Sequence, residues 1–316
     1  MAGLLVLGQV TVDHVVPATP GPWRASVGGN ALYAAAGARL WYEPARIGVV
    51  TRVGRGLPVD VAALLEGAGL PAEGLTAVES EHLVEWILYE PDGSRRSLPR
   101  DPALRDPSAD AATLRARYLA RLEALSPTAE DVPPAWLPAR AVHLAPQVVG
   151  RHRASIERLA RRTGFLSVDP SPHYARALDE PGLVRLLAGA SAFLPSRAEV
   201  EHLVTDGDWA ALVARLRATG FPEVALKLGA QGCLVSGPGD GLPAAIPAVP
   251  AAVVDLTGAG DAFGGAYTAA RALGLDPREA GRRAVVAAAM VVECPGAAAA
   301  LALSPAEARR RLEGFA

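Results

Sequence analysis

Short apolar runs recur along this chain, each separated from the next by a stretch of helical pattern, and that alternation restricts the fold more than any other feature. The runs are Leu4–Leu7 and residues 47–54, 141–144, 165–168 and 192–194. Each is nearly continuous in its hydrophobicity, the pattern of a strand buried on both sides of a parallel sheet. Residues 59–67, 153–162, 183–187 and 261–273 carry the intervening helical pattern. Strand and helix taking turns predicts an α/β fold, a central, mostly parallel sheet covered by helices on both faces. With 316 residues, 50% hydrophobic and 20% charged, the whole of 1–316 can form one such domain.

Charge and cysteine content remove several classes of function. A net charge of −2 provides neither a basic surface for nucleic acid nor a polybasic membrane patch. The basic residues are almost all arginine, a skew that matches the high Ala, Gly and Pro content and reflects composition rather than a site. Cys233 and Cys294 are too few for a disulfide framework, which suits a reducing, cytoplasmic setting. The opening run lacks a preceding basic residue, and Gln9 and Asp13 interrupt it, so it reads as a first strand rather than a signal peptide. Residues 284–303 approach the length of a membrane span, but Glu293, Pro295 and Gly296 break them into a buried helix followed by a turn.

Within this frame, Asp255-Leu256-Thr257-Gly258-Ala259-Gly260-Asp261-Ala262-Phe263 marks a turn from a β-branched run into a helix. Its small residues let a ligand approach the backbone, and the first amides of the helix point outward, with the helix dipole favouring negative charge. Neither of two common phosphate motifs fits. A dinucleotide fingerprint starting at Gly258 would need glycine where Phe263 stands, and a Walker loop needs Gly-Lys-Ser/Thr, whereas the only lysine is Lys227. Asp261 then stands beside a proposed phosphate site, where a carboxylate has one obvious task. It can take the proton from a hydroxyl that attacks phosphorus.

This nine-residue stretch resembles the second signature of the ribokinase-like (PfkB-type) carbohydrate and nucleoside kinases. The resemblance implies a ribokinase-like α/β fold with a small β lid. It also implies an anion hole from the amides of Gly258, Ala259 and Gly260, and Asp261 as catalytic base. Gly8-Gln9-Val10-Thr11-Val12-Asp13 and Gly28-Gly29-Asn30 match the family's substrate segments, so Asp13, Gly28, Gly29 and Asn30 are carried over as substrate-binding residues. From the residues alone, Asp13 reads as a solvated loop carboxylate, and Asn30 as either a helix cap or a ligand group.

Two arms, 83–90 and 95–98, flank Pro91-Asp92-Gly93-Ser94 and predict a hairpin. In similar kinases, strands from about 12–27 and 82–98 form the lid, which in some of them also makes a dimer contact. Either a monomer or a homodimer through the lid is therefore compatible. Arg95 or Arg96 could reach substrate or remain solvated. A helix at 114–125 is expected within a 99–139 stretch that shows no chemistry.

The resemblance also implies that Glu199 orients magnesium through water. The family's asparagine three residues before that glutamate is Ser196 here, a departure that weakens any detailed account of the metal. Lys227, Gly229, Gly232 and Thr257 fall on nucleotide-binding positions. Lys227 stands where threonine or serine is frequent, so it is either a phosphate cation or a structural pair. Similar kinases place main-chain carbonyls from the Asp255 region and the 294–297 loop around a monovalent cation, so the resemblance implies potassium there. His143 reads as a core histidine, and Asp169 as either a site residue or a turn residue.

The expected reaction is transfer of the γ-phosphoryl group of ATP, with Mg2+, to a hydroxyl of a sugar or nucleoside. The alternative is a kinase-like sensor that binds sugar or nucleotide without turnover. The identity of the sugar or nucleoside does not follow from the sequence.

Overall fold

The structure, a computed structural model, describes residues 3–16, 24–89, 95–96 and 110–315. Thirteen strands are present among these: β1 (Leu4–Leu7), β2 (Thr11–Val16), β3 (Arg24–Gly28), β4 (Ile47–Arg55), β5 (Leu75–Glu81), β6 (Leu83–Tyr89), β7 (Arg95–Arg96), β8 (Ala139–Leu144), β9 (Thr163–Val168), β10 (Ala192–Phe193), β11 (Val224–Lys227), β12 (Cys233–Ser236) and β13 (Ala244–Ile246). The helices are α1 (Asn30–Arg39), α2 (Val61–Gly67), α3 (Ala111–Leu125), α4 (Val149–Leu159), α5 (Pro172–Ala175), α6 (Glu180–Leu186), α7 (Arg197–Val200), α8 (Trp209–Thr219), α9 (Ala259–Ala272), α10 (Pro277–Val291), α11 (Ala297–Leu301) and α12 (Pro305–Glu313).

Nine strands form the large sheet in the order β13-β12-β11-β10-β9-β8-β1-β4-β5. From β11 to β5 every pairing is parallel, and β12 and β13 add an antiparallel edge. The expected mostly parallel sheet is therefore what the chain forms. Period-two geometry divides each central strand between two cores. Leu4 and Val6 of β1 pack with α1, α9 and α10, while Leu5 and Leu7 pack with residues of α4, α6 and α8 on the other face. α1 and α9 lie so close together that a Cβ on Gly265 would strike the Ala34 carbonyl oxygen.

A second sheet of four strands, β3-β2-β6-β7, corresponds to the expected lid. β6 and β7 pair antiparallel, Tyr89 opposite Arg95, as the hairpin reading requires. Its turn residues 91–94 and the end of its second arm at 97–98 lie outside the described residues, as do the side chains of Arg95 and Arg96. The helix expected at 114–125 starts earlier, at Ala111, where Asp110 caps it by accepting from Thr113 N at 2.7 Å.

One placement corrects the sequence reading. Asp13 belongs to β2 rather than to a loop, and it is buried. Polar residues in a lid strand that faces a site do not give the apolar pattern by which strands are read. Edge strands β5 and β13 also lacked a signal. β5 alternates half-buried and exposed positions, and β13 has only three residues.

Candidate active site

The turn before α9 is shaped by residues on both sides of it. Asp255 Oδ1 accepts from Thr257 N at 2.9 Å, which curls the chain into Gly258, whose φ of 80° is left-handed. No side chain could be added at Gly258, since the Tyr33 ring of α1 occupies that space. Ala259 N reaches the Leu256 carbonyl oxygen only at 3.4 Å. Among the described residues, the Gly258 and Gly260 amides meet no protein acceptor. Donors therefore line a turn at the positive end of a 14-residue helix. Asp261, half-buried in the first turn of α9, contributes negative charge felt at Asp13, Asp169 and Lys227, so it stands between the lid and the sheet.

The C-terminal edge of the parallel strands supplies the floor. Lys227, last residue of β11, places Nζ 2.5 Å from Asp169 Oδ2, just after β9. A Cβ built on Gly260 would lie 3.5 Å from the same Nζ, so the ammonium adjoins the glycine turn. Burial pulls the Lys227 pKa down, but the carboxylates of Asp169, Glu199 and Asp261 outweigh it and raise it above its ordinary value. Glu199, in α7, accepts from Ser196 N through Oε2 at 2.6 Å, and Ser196 bridges to Lys227 on the neighbouring strand. Asp169 is buried, and its Oδ1 has no partner among the described residues. Gly229 and Gly232 follow Lys227 in the connection to β12, with Gly232 backed against the main chain at Ile246.

Asp13 enters from the lid side. Thr11 Oγ1 donates to its Oδ1 at 2.5 Å, and Gly28 on β3 lies so close that a Cβ there would meet the carboxylate. Burial pushes the Asp13 pKa up to about 7, helped by the carboxylates of Glu85, Asp255 and Asp261 and opposed by the Thr11 bond. Gly29, with φ of 102°, caps α1, and Asn30 is the first helical residue rather than the cap. The Asn30 amide is already engaged: Nδ2 donates to Gln9 Oε1 at 2.7 Å and the Pro146 carbonyl at 2.8 Å, and Oδ1 accepts from Gln9 N at 2.8 Å. Gln9, which the sequence reading passed over, is buried and donates to Ser126 Oγ at 2.7 Å. Asn30 therefore clamps the β1–β2 and β8–α4 connections and leaves only spare acceptor capacity on Oδ1.

The chain's fit to metal ions can be judged from these bonds. Glu199 commits Oε2 to its helix cap, so its remaining oxygen, with the unpartnered Asp169 Oδ1 nearby, fits magnesium held through water better than direct ligation. The Asp255 carboxylate does not fit potassium in the same way. Its Oδ1 accepts from Thr257 N and from Tyr89 Oη at 3.2 Å, and its Oδ2 lies 3.9 Å from Arg24 Nη2.

Residues 147–303 match the profile of the pfkB family carbohydrate kinases. Those residues carry a PfkB-family, ribokinase-like domain. An uncharacterized sugar kinase of Archaeoglobus fulgidus is 35% identical over 144 residues, 45% of this chain and 56% of that one. The chain thus spans about half the length of this curated relative. Solved structures agree with the fold over its whole extent. A Burkholderia thailandensis nucleoside kinase in complex with inosine has a TM-score of 0.74 at 18% identity, covering 99% of this chain and 98% of the other. Arabidopsis thaliana ribokinase complexed with ribose and ATP has a TM-score of 0.69 at 22% identity, covering 99% of each.

On this PfkB-family frame, the structure gathers Gly258, Ala259, Gly260, Asp261, Lys227 and Glu199 at one edge of the large sheet and brings Asp13 to it from the small one. Gly229 and Gly232 share that edge. Thr257 is buried, with its Oγ1 2.9 Å from Tyr89 Oη. Two residues join the cluster that sequence reading left undecided or unassigned. Asp169 had a usable signal, its place just past a buried strand, whereas Tyr89 had none.

Proposed function

We propose that the protein is an ATP-dependent kinase that moves the γ-phosphoryl group to a hydroxyl of a sugar or nucleoside. One observation carries the reading: a glycine turn with unclaimed amides, backed by a fixed ammonium, lies next to Asp261 at the carboxyl edge of a parallel sheet. Relatives named as sugar and nucleoside kinases, one of them seen with ribose and ATP, support the substrate class.

In this reading Asp13, Gly28 and Gly29, with the acceptor left on Asn30, orient the substrate so that one hydroxyl faces Asp261. Asp261 accepts its proton as the phosphoryl group departs, and the Gly258, Ala259 and Gly260 amides stabilise charge on the equatorial oxygens. Lys227, Gly229, Gly232 and Thr257 belong to the nucleotide side. Magnesium, held through water at Glu199, would supply charge neutralisation on the phosphates. The lid sheet excludes water that would otherwise accept the phosphoryl group.

Residues 1–316 act as one unit, as a monomer or as a homodimer through the lid, in the cytoplasm. Both cysteines are free and buried, as that setting allows. The net charge is −2, and among the described residues no helix is long and apolar enough to cross a membrane. Ser196 in the family's asparagine position favours a second reading, a sensor that binds without turnover. Incubation with Mg-ATP and a panel of sugars and nucleosides separates the two. A phosphorylated product supports the kinase, and nucleotide binding without product from any acceptor supports the sensor.

A further inference from the structure

Lys227, at the end of β11, pairs through its backbone with Ser196, the N-cap residue of α7, and Lys227 N donates to the Pro195 carbonyl at 2.8 Å. The floor beneath the anion turn holds three carboxylates, Asp169, Glu199 and Asp261, and all three act electrostatically on one ammonium. Without that ammonium the floor would repel the terminal phosphate of a nucleotide. Lys227 Nζ carries three hydrogens, and Asp169 Oδ2 is its only acceptor among the described residues. The lysine side chain is 11% exposed, so its charge is partly removed from water at the boundary of the turn. Nζ therefore has two further hydrogens, and it adjoins the Gly260 turn, where an added Cβ would lie 3.5 Å from it.

We propose that Lys227 donates a charge-assisted hydrogen bond to the γ-phosphoryl group in the anion turn, and that Asp169 is the positioning residue that aims it. This deepens the kinase reading and rests on it for the identity of the anion. Asp169 acts through Lys227 only: it anchors one N–H and leaves the other two directed at the ligand.

The test is the contrast between two nucleotides that differ by the group in question. Calorimetry would measure binding of Mg-ADP and of a non-hydrolysable Mg-ATP analogue to the full chain. Lys227→Met is expected to weaken the triphosphate by about 10-fold or more while ADP stays within about twofold. Asp169→Asn is expected to shift the same ratio in the same direction, and to add nothing in a Lys227→Met background. Removing one member of a buried pair strands the other's charge. The double variant Asp169→Asn/Lys227→Met removes both charges, so it must fold and still show the triphosphate-specific loss. Equal weakening of both nucleotides, no weakening of either, or additive effects of the two substitutions would overturn the proposal. Failure of the kinase reading looks different: the triphosphate contrast would persist, but the wild-type chain would phosphorylate no acceptor.

Discussion

The phenol oxygen of Tyr89, on the lid strand β6, lies 3.2 Å from Asp255 Oδ1, so the lid is fastened directly to the residue that begins the glycine turn. The same oxygen is 2.9 Å from Thr257 Oγ1. Tyr89→Phe removes both contacts with little change in shape, at a stability cost of about 1–3 kcal/mol. The account expects a several-fold rise in the acceptor KM and in ATP hydrolysis without acceptor, with nucleotide affinity unchanged. Coupled assays with and without acceptor read both. An unchanged hydrolysis rate would mean that this contact does not govern water exclusion.

Gly258 combines a left-handed φ of 80° with the Tyr33 ring where a side chain would go. Gly258→Ala must displace either the ring or the turn. A displacement near 1 Å at a reacting centre costs about 100-fold, and the strain costs about 1–3 kcal/mol. Turnover should fall by roughly that factor, more than thermal unfolding alone explains. Steady-state kinetics alongside a melting curve would check it, and full activity with a lowered Tm would separate the turn from catalysis.

Asp13 gives the substrate side a pH signature. Its folded pKa near 7, above the ordinary 3.8, means that its stabilising contribution is fully present below pH 3.8 and is lost as pH rises through about 7. Acceptor binding to the carboxylate form runs the other way. The acceptor KM should rise as pH falls below about 7, and Asp13→Asn should flatten that dependence. A pH profile of KM that is identical in the two proteins would remove Asp13 from substrate binding.

Much of the framework was legible because its signals are local. Leu4–Leu7 and residues 141–144 read as two-sided strands and pair in parallel, Leu4 opposite Ala141. Gly258 to Asp261 lie consecutively, so one short stretch carries both the turn amides and the carboxylate beside them. What stayed hidden depends on residues far apart. Asp169 and Lys227 are separated by 58 positions, and Tyr89 and Asp255 by 166, so neither pairing leaves a spacing to read. Asn30 shows the limit of residue type as a guide. An amide that suits a ligand suits Gln9 and Pro146 equally well, and the fold has already used most of it.

Two buried histidines make the core sensitive to acid. His143 bonds Ser167 Oγ through Nδ1 at 2.9 Å, and His152 bonds Tyr174 Oη at 2.7 Å and the Ala145 carbonyl at 2.8 Å. Burial lowers their pKa values to about 3 and about 4. Groups depressed in this way contribute stability above their unfolded pKa of 6.5, and that stability is lost as pH falls toward the folded values. Each histidine accounts for on the order of 3 kcal/mol. Urea unfolding at pH 7.5 and pH 4.5 should show the loss, and His152→Gln should reduce it. Equal stability at the two pH values would contradict the neutral, buried state of both rings.

Asp261→Asn tests the central claim most directly, with phosphorylated product measured against a panel of sugars and nucleosides and Mg-ATP affinity measured by calorimetry on the same preparations. A wild-type chain that phosphorylates at least one acceptor, and a variant that binds ATP with near-normal affinity yet turns over about 100- to 10,000-fold more slowly, is the predicted result. A variant that keeps wild-type turnover would contradict it.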